Sequence, residues 1–230
     1  RMHDIRAQIA PNDKGAKLML DLVQQSGLQT VLSAIDSIML YTERRLRNRI
    51  AQLPEGTYSF TERMDDDGMG GDPVTIQANV HAHDGQLYVD FTGTGKQARG
   101  AFNLPASALN ASVYFAVKAM LDPELMPNNG LFQPITITAP EGTITNPRFP
   151  AAVGARVTTA QRVAGTVIGA LGQLLPPDRA MASCNDVMPS MLFSVPMQNG
   201  KGTFVYLETL GGGAGGRAQG DGMDGSQGHV

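Results

Sequence analysis

Pro73-Val-Thr-Ile-Gln-Ala-Asn-Val-His-Ala-His83, then Asp84-Gly85, then Gln86-Leu-Tyr-Val-Asp-Phe-Thr92, is the stretch on which the fold turns. Its period is two, that of a strand, and an Asp-Gly pair between two such runs is the strongest short-range hairpin signal. The same period begins at Gly56, so Thr57 to Arg63 reads as a further strand. Downstream, Ile135 to Thr138 and Thr143 to Thr145 read as short strands joined across Pro140-Glu-Gly142. Ser190 to Val195 and Thr203 to Leu210 read as a second hairpin around Asn199-Gly200.

Between these runs the period lengthens to that of a helix. One helix is expected from about Lys14 to Ser26, entered through Pro11-Asn-Asp13, with Leu18, Leu22 and Val23 on one face and Gly27 as its stop. A second covers about Thr30 to Gln52, with Val31, Ile35, Ile38 or Met39, Leu46, Ile50 and Leu53 in step and Pro54 behind it. A third spans about Ala106 to Leu121 and ends at Asp122-Pro123. A fourth spans about Thr159 to Leu175, where Gly165 and Gly169 predict close packing on a neighbour. No βαβ rhythm appears. The fold class is therefore α+β, mostly antiparallel strands with about four helices. It divides into a helical segment over 1–54 and an α+β domain over 55–230 that ends in a glycine-rich loop.

The 230 residues are 42% hydrophobic and 17% charged with a net charge of −3, an ordinary balance for a globular protein. Nothing in that charge draws the chain to nucleic acid or to an anionic membrane. No apolar run approaches the length of a membrane span, and no signal peptide opens the sequence. A single cysteine, Cys184, excludes an internal disulfide, fits a cytoplasmic compartment, and lacks any nucleophile motif. Because the chain opens at Arg1 and closes within the glycine-rich segment, it reads as a piece of a larger polypeptide.

That final segment carries the densest chemistry. From 211 to 228, nine of eighteen positions are glycine, and the spacers are Arg217, Gln219, Asp221, Asp224 and Gln227, with His229 just beyond. Glycine at this density costs backbone entropy. Either it is a tether, or it is a loop shaped to bring backbone against a ligand beside groups that bind and titrate. Gly211, Gly213 and Gly216 match the spacing of a dinucleotide fingerprint, but no helical period follows, which removes a Rossmann reading. Elsewhere, Arg44, Arg45, Arg47 and Arg49 point in several helical directions and read as a solvated face rather than a phosphate patch. Asp65-Asp66-Asp67-Gly68 reads as a turn rather than a metal site, since the spacing is not that of a calcium loop. His81 and His83 share a strand face near a hairpin tip and read as exposed.

Several blocks occur in a familiar order: Tyr41-Thr-Glu-Arg-Arg45, Pro54-Glu-Gly-Thr-Tyr58, Asp65-Asp-Asp-Gly68, Val89-Asp-Phe-Thr-Gly93 and Gly100-Ala-Phe-Asn103. Tyr114-Phe-Ala116, Pro140-Glu-Gly142, Asn146-Pro147, Thr159-Ala-Gln-Arg162 and Glu208-Thr-Leu-Gly-Gly-Gly213 follow. Together they resemble the hydantoinase B / 5-oxoprolinase family over essentially the whole chain. The resemblance implies a subunit, or its central to C-terminal portion, of an ATP-dependent hydrolase that opens hydantoin, 5-oxoproline or similar lactam rings. ATP would act through a hydantoinase A type nucleotide-binding partner. A divalent metal would belong to a segment N-terminal to these residues. A subunit of an ATP-dependent ketone carboxylase, or a non-catalytic module docking the nucleotide-binding subunit, are the other readings. Within such a subunit the residues expected to bind substrate are Gly211, Gly212, Gly213, Arg217, Asn103 and Arg162. Asp221, Asp224 and His229 are the expected acid/base groups, and none of the residues here is expected to bind metal.

Overall fold

The Asp84-Gly85 hairpin forms as read, with both residues at positive φ, 46° and 67°, the conformation such a turn demands. In a computed structural model, residues 2–179, 190–197, 200, 202–213 and 215–224 are described. Their elements are α1 (Met2–Ser26), α2 (Leu28–Ile50), β1 (Gly56–Met64), β2 (Val74–His83), β3 (Gln86–Asp90), α3 (Ala106–Leu121), a 3-10 turn (Asn129–Leu131), β4 (Ile135–Thr138), α4 (Arg156–Gly172), β5 (Ser190–Pro196) and β6 (Thr203–Thr209).

β1, β2 and β3 pair antiparallel in that order, and β4 joins the far edge parallel to β3. Alternation then decides the layers. Val74, Ile76, Ala78, Val80 and Ala82 put one face of β2 into the core, while Gln77, Asn79 and His81 line the other. That second face is laced by polar contacts, such as Ser59 Oγ donating to Asn79 Oδ1 at 2.7 Å. α3 and α4 pack together, and α4 covers β1 and β2. The resulting core includes Phe91, Ile76, Val80, Leu104, Val113, Val167 and Leu171. The close approach anticipated at Gly169 is real: a Cβ there would meet the Phe60 ring at 2.5 Å.

Four points differ from the sequence reading. α1 begins at Met2 and runs through Pro11. The proline forfeits one hydrogen bond, but the alanines, glutamine and lysines around it have helical propensity enough to continue. Its expected stripe is not buried, for Leu18 and Leu22 are 58% and 45% exposed. Thr143–Thr145 is not a strand but makes isolated bridges to Lys96 and Asn146. The arginines of α2 are not simply solvated. Arg45 donates through Nε and Nη2 to the buried Asp122 carboxylate at 2.5 and 2.7 Å, tying α2 to the end of α3, and Arg47 pairs with Glu43. That guanidinium holds the Asp122 carboxyl below the ordinary range.

Candidate functional site: a charged cleft at the start of α4

β1 ends at Met64 and delivers Asp65 and Asp66 to the mouth of a cleft of about 380 Å3, whose other walls are Phe102, Thr158 and Arg162. The far wall is the first two turns of α4. Ala155 precedes that helix and offers no side-chain cap, and the N–H groups of Arg156 and Thr158 donate to Val153 O and Ala155 O, so the start of α4 contributes the positive end of its dipole. Arg162 adds a full positive charge, and its Nη1 lies 3.4 Å from Glu62 Oε2. A cation and a helix N-terminus thus stand across a small space from two carboxylates. Such an arrangement can hold an anionic or strongly polarised group and has carboxylates placed to move a proton.

The loop walls are set by Asn103, which is fully buried. Its Oδ1 accepts from Ala98 N at 2.8 Å, while its Nδ2 donates to Ala98 O, Gly100 O and Ala152 O at 2.9, 3.2 and 3.0 Å. Thr159, also buried, donates to Phe102 O at 2.5 Å and locks the loop to α4. At Gly100 a Cβ would sit 2.4 Å from Asp67 O, so the loop lies directly against the acidic turn. The Asn103 amide is committed to the protein's own backbone, so it shapes the cleft from behind.

The acidic run folds as a turn. Asp66 Oδ1 accepts from Gly68 N and Asp67 Oδ1 from Met69 N. Asp67 is further gripped by Arg99, with Nε to Oδ2 at 2.7 Å and Nη2 to Oδ1 at 3.2 Å, and this pairing lowers its pKa to about 2. Asp67 is thereby removed from chemistry, which leaves Asp65 and Asp66 toward the cleft. Among the described residues no three His, Cys, Asp or Glu side chains converge as a metal cluster. His83 is exposed and its Nδ1 meets Glu55 at 3.0 Å, while His81 Nδ1 lies 3.0 Å from Gly56 O.

The glycine-rich segment follows β6 and closes on itself. Arg217 and Gly220 exchange backbone hydrogen bonds at 3.0 and 3.1 Å, and Gln219 Nε2 donates to Asp178 O at 2.6 Å. Gly213 is not in the left-handed region, and a Cβ there would find only ordinary contacts, 3.6 Å to Met223 O and 3.8 Å to Asp224 O. Asp178 lies past the C-terminal end of α4, whereas Arg162 stands in its second turn. From Arg162 to Gly172 the helix rises about 15 Å, so the two parts of the expected site attach at opposite ends of one helix. His229 and Cys184 lie outside the described residues.

The hydantoinase B/oxoprolinase family model matches residues 1–230. The chain belongs to that family. A Pseudomonas sp. (strain NS671) protein assigned to a D-/L-hydantoinase as one of its subunits is 32% identical over 96% of this chain and 38% of its own length. The 5-oxoprolinase 1 of Arabidopsis thaliana is 29% identical over 100% of this chain and 18% of its own. This hydantoinase B family chain therefore spans well under half of these relatives. Among solved structures, the ATP-dependent caprolactamase from Pseudomonas jessenii superposes with a TM-score of 0.79 at 22% identity, covering 95% of this chain and 38% of that one. An acetone carboxylase does so with a TM-score of 0.74 at 16% identity, covering 93% and 32%. At those identities the superpositions establish a common fold.

Sequence reasoning places Arg162 in the site but takes Asp65 and Asp66 only as a turn. The usable signal is their position at the end of a strand. What it lacks is the knowledge that this strand end meets the start of α4, a contact across about a hundred residues.

Proposed function

We propose that this chain is part of a subunit of an ATP-dependent cyclic amidohydrolase that opens hydantoin, 5-oxoproline or a similar lactam together with a hydantoinase A type nucleotide-binding partner. The observation that carries the reading is the family match along the whole chain, with relatives named for this chemistry. Ring amides are poor electrophiles, and ATP held by the partner would supply an activated, phosphorylated form of the ring. The residues here then have distinct tasks. Arg162, with the positive end of the α4 dipole behind it, binds the anionic group and the oxyanion that develops on attack. Asp65 or Asp66 takes the proton of the attacking water. Asn103, through the loop it holds, fixes Phe102 as the apolar wall. The segment with Gly211, Gly212, Gly213 and Arg217 is held at the other end of α4, so it would bring Asp221, Asp224 or His229 to the leaving nitrogen as proton donor only by a movement of about 15 Å along the helix. The compartment is the cytoplasm, where ATP is available.

A ketone carboxylase reading has the acetone carboxylase fold in its favour. The two separate by substrate dependence. The full-length subunit with its nucleotide-binding partner should release ADP in proportion to lactam opened, without bicarbonate. Release that requires a ketone and bicarbonate supports carboxylation instead. In that assembly Arg162→Gln should lower kcat/KM at least about a hundredfold, the equivalent of about 2.7 kcal/mol of transition-state stabilisation. Unchanged turnover in Arg162→Gln and Arg217→Ala together would leave only a docking role for this chain.

A further inference from the structure

α2 is two helices in one as far as its surroundings go. Leu28, Leu32, Ile35, Met39, Thr42 and Leu46 recur at alternating steps of four and three, the seam spacing of a coiled coil, and so share one stripe. The C-terminal half of that stripe is core, with Thr42 and Leu46 at 1% and 0% exposure. At Met39 the domain lets go. The last close contact is Gly130, whose missing Cβ would stand 2.0 Å from Met39 O. Beyond it the stripe continues uncovered, with Leu28, Leu32 and Ile35 at 58%, 46% and 39% exposure. α1 does contact α2, and Val31 beside the stripe is buried, yet Leu28, Leu32 and Ile35 stay bare. From Met2 to Tyr41, thirteen large apolar side chains are exposed. A lone folded chain seldom leaves so much apolar surface bare, and an interface takes roughly 20–30 residues a side.

We propose that the arm formed by α1 and the first half of α2 is a dimerisation surface, covered by the same arm of a second copy in antiparallel register. Two features favour a second copy over a different protein. Four-three-four spacing reads alike in both directions, so in an antiparallel pair Leu32 of one copy meets Ile35 of the other and Leu28 meets Met39. A two-fold interface needs that self-complementarity. The arm is also electrically balanced. Residues 1–41 carry Arg1, Arg6, Lys14 and Lys17 against Asp4, Asp13, Asp21 and Asp36, four charges of each sign. Two copies therefore meet without net repulsion, whereas a surface built for an acidic or basic partner would be biased. The tip of the stripe, Leu28 to Ile35, has no charged residue at all. Two such arms would make a four-helix bundle with this stripe as its seam.

The test uses the full-length subunit without its nucleotide-binding partner, followed by light scattering at tens of micromolar. Wild type should be a dimer, and Ile35→Glu or Leu32→Glu should weaken it at least about a hundredfold. Melting curves recorded at dilutions where wild type is also monomeric should hardly differ, because these side chains are already half bare in the single chain. Register is read separately in a Cys184→Ser background. Leu32→Cys mixed with Ile35→Cys should give a mixed disulfide, and Leu28→Cys alone should give none. A dimer that survives both glutamates, or that lacks the mixed disulfide, overturns the proposal. So does a wild-type monomer in which a cysteine at 35 is shielded from maleimide, since the rest of the subunit would then cover the stripe. Loss of partner binding with no change in self-association assigns the surface to the nucleotide-binding subunit and likewise overturns it.

Discussion

Replacing Asn103 by leucine separates a residue that shapes the cleft from one that touches substrate. Leucine keeps the volume but removes three full hydrogen bonds, one accepted from Ala98 N and two N–H donors shared among Ala98 O, Gly100 O and Ala152 O. Asn103 is fully buried, so water cannot take over these groups cheaply. At about 1 kcal/mol for each bond the loss is about 3 kcal/mol, and orphaned backbone groups add to it. For a domain of this size each kcal/mol moves the melting temperature by about 2–4 °C, so a fall of about 6–12 °C is expected in thermal melts followed by circular dichroism. Asn103→Asp supplies a sign. It still accepts from Ala98 N but sets a carboxylate against three carbonyl oxygens, so its neutral form is the one the fold prefers. A carboxyl whose folded pKa is raised contributes more stability at low pH and loses it as pH rises. Asn103→Asp should accordingly melt higher at pH 5 than at pH 8. Asn103→Leu melting within about 2 °C of wild type, with kcat/KM of the assembled enzyme still collapsed, would refute this reasoning and make Asn103 a direct substrate ligand.

Other outcomes follow from the same contacts. Gly169→Ala should destabilise by about 1–2 kcal/mol in urea unfolding because its Cβ meets Phe60 at 2.5 Å, whereas Gly172→Ala, with nothing within 4 Å, should be neutral or stabilising by up to about 1 kcal/mol. Asp67, held near pKa 2 by Arg99, contributes stability that is full above its ordinary value and is lost as pH falls through about 2. Arg99→Gln should therefore flatten the acid limb of the stability profile between about pH 4 and pH 2. Gly213→Val should fold normally, since its Cβ has room, so any fall in turnover of the assembled enzyme would report on ligand approach.

Much of the architecture was legible in the sequence because it depends on neighbours along the chain. The Asp84-Gly85 turn, the alternation of β2, and the stops at Gly27 and Pro54 are local signals, and the elements they bound formed near their expected places. Pro11 misled because it is a local signal that nearby helix formers outweighed. The strand expected at Thr143–Thr145 failed because a strand needs a partner ladder, and only single bridges are on offer there. Arg162 could be singled out from its block, whereas its placement opposite Asp65 and Asp66 could not, since β1 and α4 meet only after the sheet has closed. Sequence by itself determined the periods, the turns and the α+β class, all of which depend on residues a few positions apart. Only the tertiary structure decided that β4 joins parallel to β3, that Asn103 bonds backbone on two separate segments, and that the stripe of α2 is buried below Met39 and bare above it. Those outcomes depend on which surfaces meet across long loops, a choice made by packing the whole chain at once.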